Sequence, residues 1–165
     1  MKKNLLIFVL GPAAIIALDQ ITKSAITARF TLHQAYPVID GLFNLVYVMN
    51  PGAAFGFLAD AAPMFRYVFF TGVTLLAAGL IVYYLVKSNP RNLLLSGSLT
   101  LIFGGAVGNL IDRIRFGAVV DFLDVYIGSW HWPAFNVADS AITVGAILMI
   151  WEMLRNRKSK QTSST

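Results

Sequence analysis

The amino-acid sequence predicts an integral membrane protein, mainly α, with four transmembrane helices and a small periplasmic β-platform between helices 1 and 2. Composition is the first reason: 57% of the 165 residues are hydrophobic and only 13% are charged. The mean hydropathy is +0.68, whereas a soluble domain has about 25% charged residues and about half apolar ones. The second reason is four apolar runs approaching the ~20 residues that cross a bilayer. The third is a one-sided distribution of Lys and Arg.

The first run, Leu5–Leu18, is taken as a span over roughly 5–22. Met1-Lys2-Lys3 ahead of it looks like the start of a secretory signal. No small-x-small cleavage site precedes Asp19-Gln20, however, and further spans follow, so the expectation is a retained first helix. The second and third spans cover roughly 65–86 and 93–111. Lys87-Ser88-Asn89-Pro90-Arg91 separates them, and Pro90 prevents one continuous helix. The fourth covers roughly 137–154, and the polar tail 155–165 is expected to fray. The longer segments, 23–64 and 112–136, lie on the other side. Within the first of these, Tyr36-Pro37-Val38-Ile39, the turn Asp40-Gly41 and Leu42–Val48 read as two short strands lying on the membrane surface. Trp130 and Trp132 suit an interfacial aromatic belt. No internal repeat or low-complexity tract is evident, so residues 1–165 are expected to form a single membrane-embedded unit.

Charge gives the orientation. Lys2, Lys3, Lys87, Arg91, Arg155, Arg157, Lys158 and Lys160, eight of the thirteen basic residues, share one side. This side is expected to be cytoplasmic, with both termini on it. Seven of the eight acidic residues, all but Glu152, fall at or near the opposite face. The net charge of +5 therefore reads as membrane topology, not nucleic-acid binding. With no cysteine, disulfides, thiolate nucleophiles and Cys-ligated metals are excluded.

A helical rise of 1.5 Å per residue places polar residues in depth. Asp19 and Asp139 each come out about 21 Å from the inner boundary, and Asn109 about 24 Å, with Asp112 and Arg113 just above. Charge at such depth costs on the order of 2.5–3.5 kcal/mol per residue, so it normally faces a polar interior and marks a functional site. Capping of helix ends at a wet interface would account for any one of these residues. It accounts less well for a set converging from three helices.

The residue inventory prunes the chemistry. The only histidines, His33 and His131, lack a His-Glu-x-x-His setting, so no metal site is expected. No serine, including Ser140, has a plausible base. Paired aspartates remain. Two carboxylates held close share one proton, so the charged member can deprotonate water while the neutral one polarises a carbonyl. Asp121 lies among apolar residues in Val119-Val120-Asp121-Phe122-Leu123, and Asp139 opens the last helix. Asp139 also suits a helix-cap role, Asp121 suits a solvated loop, and by spacing alone Asp124 rivals Asp121.

The motifs Asp19-Gln20-Ile21-Thr22-Lys23, Asn50-Pro51-Gly52-Ala53-Ala54-Phe55-Gly56, Gly104-Gly105-Ala106-Val107-Gly108-Asn109-Leu110-Ile111-Asp112-Arg113, Val119-Val120-Asp121-Phe122 and Phe135-Asn136-Val137-Ala138-Asp139-Ser140 together resemble bacterial lipoprotein signal peptidase (signal peptidase II). They stand in that family's order and cover nearly the whole chain from Asp19 to Ser140. The resemblance implies an inner-membrane aspartyl endopeptidase that cuts on the N-terminal side of a diacylglyceryl-modified lipobox cysteine. It also implies sensitivity to the cyclic peptide globomycin, and the paired-aspartate chemistry itself needs no cofactor. Carried over by motif, Asp121 and Asp139 are the catalytic pair, which demotes Asp124. Asn50, Gly52, Gly108, Asn109, Asp112, Arg113, Asn136 and Ala138 line or brace the site, and Asp19 and Lys23 form its first-helix wall. The expected partners are diacylglyceryl prolipoproteins and membrane lipids, with no nucleic acid, and the protein is expected to act as a monomer. Arg113 or Lys23 would hold a lipid phosphate or a substrate carbonyl, or else neutralise Asp112 and Asp19. Gly104, Gly105 and Gly108 suit close helix packing. The alternative is a small ion or proton carrier using intramembrane carboxylates, although a carrier favours midplane acids and repeats. A lipid-binding scaffold would tolerate loss of either aspartate.

Overall fold

A computed structural model describes residues 2–52, 57–58, 60–87 and 92–162, with side chains within 8–52, 57–58, 60–84, 87 and 92–156. In chain order the elements are α1 (Lys2–Arg29), β1 (Ala35–Ile39), β2 (Phe43–Asn50), α2 (Pro63–Lys87), α3 (Leu93–Phe116), β3 (Val119–Ile127), β4 (Trp130–His131) and α4 (Val137–Thr162). All four helices are long and apolar enough to cross a membrane, and the chain is a multi-pass membrane protein. Of the expected motifs, Ala53–Gly56 and the interhelical Ser88, Asn89, Pro90 and Arg91 lie outside the described residues.

α3 is the central helix, and small residues set its distance from its neighbours. Added methyl groups would meet Thr100 at Gly11, Ile15 at Gly104 and Asp19 at Gly108, an advance of four residues on each helix that marks α1 and α3 as parallel. Against α4, a methyl on Gly105 would strike the carbonyl oxygen of Ala138, and one on Gly145 would lie 2.7 Å from that of Ser98. That pairing is antiparallel. Apolar burial drives little association in lipid, so close backbone approach and interhelical polar bonds must supply it. At the end of the bundle away from the sheet, Asn92 caps α3 by accepting from the Leu95 N–H at 3.1 Å. Its amide donates to Glu152 on α4 at 2.8 Å, and Arg155 pairs with the same carboxylate at 2.8 Å.

Three helices run well beyond their predicted spans, and α2 (Pro63–Lys87) by three residues. α1 continues to Arg29 instead of stopping near 22, α3 runs to Phe116 instead of 111, and α4 extends its backbone through the polar tail to Thr162. Counting apolar residues stops at the first charge. Lys23, however, pairs with both Asp19 and Asp112 inside the bundle, so these charges need not end a helix. α3 ends instead at Gly117, a left-handed C-cap (φ 72°) whose N–H bonds the Arg113 carbonyl, the usual glycine stop. Beyond Leu154 only good helix formers and polar residues follow, with no Gly or Pro to break the backbone.

The expected β-platform between helices 1 and 2 is present as β1 and β2, and the sheet order β1-β2-β3-β4 extends it with two strands from the connection between α3 and α4. β2 and β3 are antiparallel, with Val48 opposite Asp121 and Asn44 opposite Asp124. Two strands alone are marginal, and β3, starting just after the Gly117 cap, gives the hairpin its third. The register breaks between Leu45 and Val48. Tyr36, Val38, Ile39, Trp130 and Trp132 remain exposed on the platform.

Candidate active site

Where α1, α3 and α4 meet the sheet, the buried polar residues gather into one network. Lys23 reaches Asp19 at 2.8 Å, four residues back on α1. It reaches Asp112 on α3 at 2.9 Å and the Asn109 side-chain oxygen at 2.9 Å. Those three acceptors use all three ammonium N–H groups. The second oxygen of Asp19 accepts the Ala138 N–H at 2.9 Å, tying α1 to the first turn of α4. Asp112 likewise accepts the Val120 N–H at 3.1 Å, tying α3 to β3. Asp19, Lys23, Asp112 and Asn136 are all buried. Removing one partner of such a buried ion pair typically costs about 3–5 kcal/mol, so the network holds four elements in register. Of the two predicted uses of Lys23, neutralisation of Asp19 and Asp112 is the one realised.

The two candidate aspartates arrive on different elements and meet at Asn136. Asp121 lies on β3 and is 2% exposed. It accepts from the Asn136 amide at 2.8 Å and from the Asn50 amide at 3.0 Å. Asp139, half-buried in the first turn of α4, accepts from the Asn109 amide at 2.8 Å and from the backbone N–H of Asn136 at 3.3 Å. Its own N–H donates to the Asn136 side-chain oxygen at 2.9 Å, so the helix-cap role is filled by Asn136. Asn136 also donates to Asn109 at 3.1 Å. Burial first, and then the neighbouring Asp139 carboxylate, push Asp121 up to about 7, against the lowering influence of Asn50, Asn136 and Lys23. Such a carboxyl holds a proton near neutral pH and can exchange it.

Asp124 is elsewhere. Three residues on from Asp121, it points to the other side of β3 because strand side chains alternate. There it accepts from Asn44 at 2.8 Å and pairs with His131 at 2.9 Å, whose ring stacks on Tyr126. His33 stands apart in the turn after α1, its N–H donating to the Tyr47 carbonyl.

The supporting residues occupy three positions around the pair. Asn50 donates to Asp121 and, at 3.0 Å, accepts the Gly52 N–H, which fixes its orientation. Arg113 is half-buried, 3.5 Å from the Gly52 carbonyl and stacked on Phe70 of α2. Asp121 and Asp139 are among its electrostatic neighbours. Gly108 and Ala138 make room, since a methyl on Gly108 would lie 2.8 Å from Asp19 and 3.4 Å from the Ala138 side chain. Gln20 was not singled out from sequence, yet its amide bridges Asp112 at 2.9 Å, Asp19 at 3.2 Å and the Gly108 carbonyl at 3.2 Å. The available signal was a second polar residue beside Asp19 inside an apolar span.

The family described as signal peptidase (SPase) II matches residues 12–155. A lipoprotein signal peptidase of Syntrophus aciditrophicus is 53% identical over 97% of this chain and 99% of its own. Those of Desulforapulum autotrophicum (51%, 87% of this chain and 88% of its own) and Geobacter sulfurreducens (50%, 88% and 89%) are similarly close. Two solved structures described as bacterial membrane enzymes superpose with TM-scores of 0.84 and 0.80, at 34% and 33% identity. They cover 93% and 89% of this chain and 90% and 92% of theirs. None of these matches supports the carrier alternative. With sequence likeness and three-dimensional likeness each extending over most of its length, the chain belongs to the signal peptidase II family.

Proposed function

We propose that Asp121 and Asp139 are the catalytic dyad with which this aspartic peptidase removes signal peptides from prolipoproteins, cutting on the N-terminal side of a diacylglyceryl-modified cysteine. The observation that carries the assignment is the meeting of two carboxylates from β3 and α4 on Asn136, with Asp121 held near 7 by burial and by Asp139. The charged aspartate takes a proton from water as its oxygen attacks the scissile carbonyl, and the neutral one gives its proton to the carbonyl oxygen. In collapse, the first returns its proton to the leaving nitrogen and the second recovers one from the hydroxyl. Protons balance without a metal.

Asn50, Asn109 and Asn136 orient the pair, and Asp19, Lys23, Gly108, Asp112 and Ala138 brace it. Arg113, near the Gly52 carbonyl and over Phe70, lines the site. The protein sits in the bacterial inner membrane as a monomer among lipids, with both termini cytoplasmic and the site near the periplasmic face. Support for that sidedness comes from the clustering of Lys and Arg at the opposite end. Cysteines placed at Ser129 and Asp60 should then label from the periplasm, and one at Ser88 should not.

A lipid anchor delivers the cysteine to this depth and contributes binding energy away from the scissile bond, which can orient it. The test measures kcat/KM for matched lipidated and unlipidated precursors in one bilayer, with wild type and Asp139→Asn. Wild type should favour the lipidated precursor by orders of magnitude, and Asp139→Asn should cut neither. Turnover by a folded Asp139→Asn protein would overturn the dyad, and equal rates on the two precursors would overturn the role of the lipid.

A further inference from the structure

Lys23 lies one residue back from the aspartates. Among the described residues it touches neither of them, and its one neutral partner there, Asn109, touches Asp139. An ammonium only donates, so the Asn109 atom 2.9 Å from Lys23 must be its oxygen. The NH2 is thereby turned to Asp139, which it meets at 2.8 Å. Asn136 donates to the same Asn109 oxygen at 3.1 Å and reinforces that orientation. The two ends of an amide are nearly equal in shape, so chemistry and not fit selects the donor for Asp139. A cation on the oxygen also polarises the amide and strengthens its N–H as a donor.

Among the described residues, Asp121 has no equivalent route. Its donors are the amides of Asn50 and Asn136. The oxygen of Asn50 accepts the Gly52 N–H, and that of Asn136 accepts the Asp139 N–H. Both are neutral partners. Among the described residues, the charged groups around this point are Asp19 and Lys23 from α1, Asp112 and Arg113 from α3, Asp121 from β3 and Asp139 from α4.

Resting on the dyad reading above, we infer that Lys23 is a positioning residue that acts through Asn109 to place the dyad's negative charge on Asp139 and leave the shared proton on Asp121. Asp139 is then the group that takes the proton from water, and Asp121 the group that protonates the carbonyl oxygen. Lys23 thus sets the acid limit of activity, below which both aspartates are neutral.

The experiment compares pH profiles of kcat/KM for wild type, for Lys23→Met/Asp112→Asn, and for Asn109→Leu with Lys23 retained. Wild type carries two anions and one cation in the Asp19–Lys23–Asp112 trio, and the double variant carries one anion and no cation, so the net charge of −1 is unchanged. Loss of one charge-assisted bond should move the acid limb up by about one to two pH units in each variant. Adding the Lys23 and Asp112 changes to Asn109→Leu should move it no further. A fall in kcat with the acid limb unmoved would make Lys23 merely structural and overturn the inference. A shift in the double variant without one in Asn109→Leu would overturn the route through Asn109. Should the double variant fail to fold, an unmoved acid limb in Asn109→Leu still overturns the inference, because among the described residues Lys23 reaches Asp139 only through Asn109. A wild-type protein that cleaves nothing would sink the proposed function instead.

Discussion

Asn in place of Asp121 should abolish cleavage and yet stabilise the protein above neutral pH. Burial and the Asp139 carboxylate raise Asp121 from 3.8 to about 7, a rise of about three units at about 1.4 kcal/mol each. With the folded value raised, the group's favourable contribution is fully present below the unfolded value. It fades as pH climbs and is gone once pH has passed about 7. The loss amounts to about 4 kcal/mol by pH 8 and about 1–2 kcal/mol at pH 5. Asn carries no charge and escapes it.

The exchange brings a cost of its own. Asn50 donates to Asp121 at 3.0 Å while its oxygen is held by the Gly52 N–H at 3.0 Å. An amide at 121 that accepts from Asn136 therefore turns its NH2 towards another NH2, a mismatch of about 1–3 kcal/mol. The variant should be about 1–3 kcal/mol more stable than wild type at pH 8, and equal or slightly less stable at pH 5. Unfolding of both proteins in one detergent at the two pH values, beside a cleavage assay, measures this. A stability difference that does not change with pH would refute the buried, proton-holding Asp121. Retained cleavage would refute its catalytic role.

Asp124→Asn should keep most activity, because its partners are Asn44 and His131 on the other side of β3; a dead, folded variant would transfer the catalytic role to Asp124. Gly105→Ala forces a methyl into the Ala138 carbonyl and to 2.8 Å from Ile142. It should lose about 1–3 kcal/mol of stability together with activity, since Ala138 adjoins Asp139, whereas Gly97→Ala, with nothing within 4 Å, should leave both unchanged in the same unfolding and cleavage assays. Wild-type kcat/KM should fall as pH rises through about 7, where Asp121 loses its proton; a rate constant to pH 9 would contradict the shared-proton chemistry.

By itself the sequence determined the four membrane-crossing helices, though not their ends, the one-sided basic charge and the shared level of Asp19, Asn109 and Asp139 along the bundle. These depend on quantities local to each helix: apolar length, flanking charge and a rise of 1.5 Å per residue. Its motifs also carried the resemblance to the family that the matches establish. Which way a side chain turns is not local. Only the β2–β3 register and the rotation of α4 sent Asp121 to Asn136 and Asp124 to His131. Only the packing of α1 against α3 committed Lys23 to Asp19 and Asp112, which let both helices run past their charges. Gln20 found its bridging place by the same packing, and the platform drew strands from two connections far apart in the chain. A buried polar group takes its partners from whatever surrounds it in space, and in this bundle those neighbours are up to 119 residues distant in sequence.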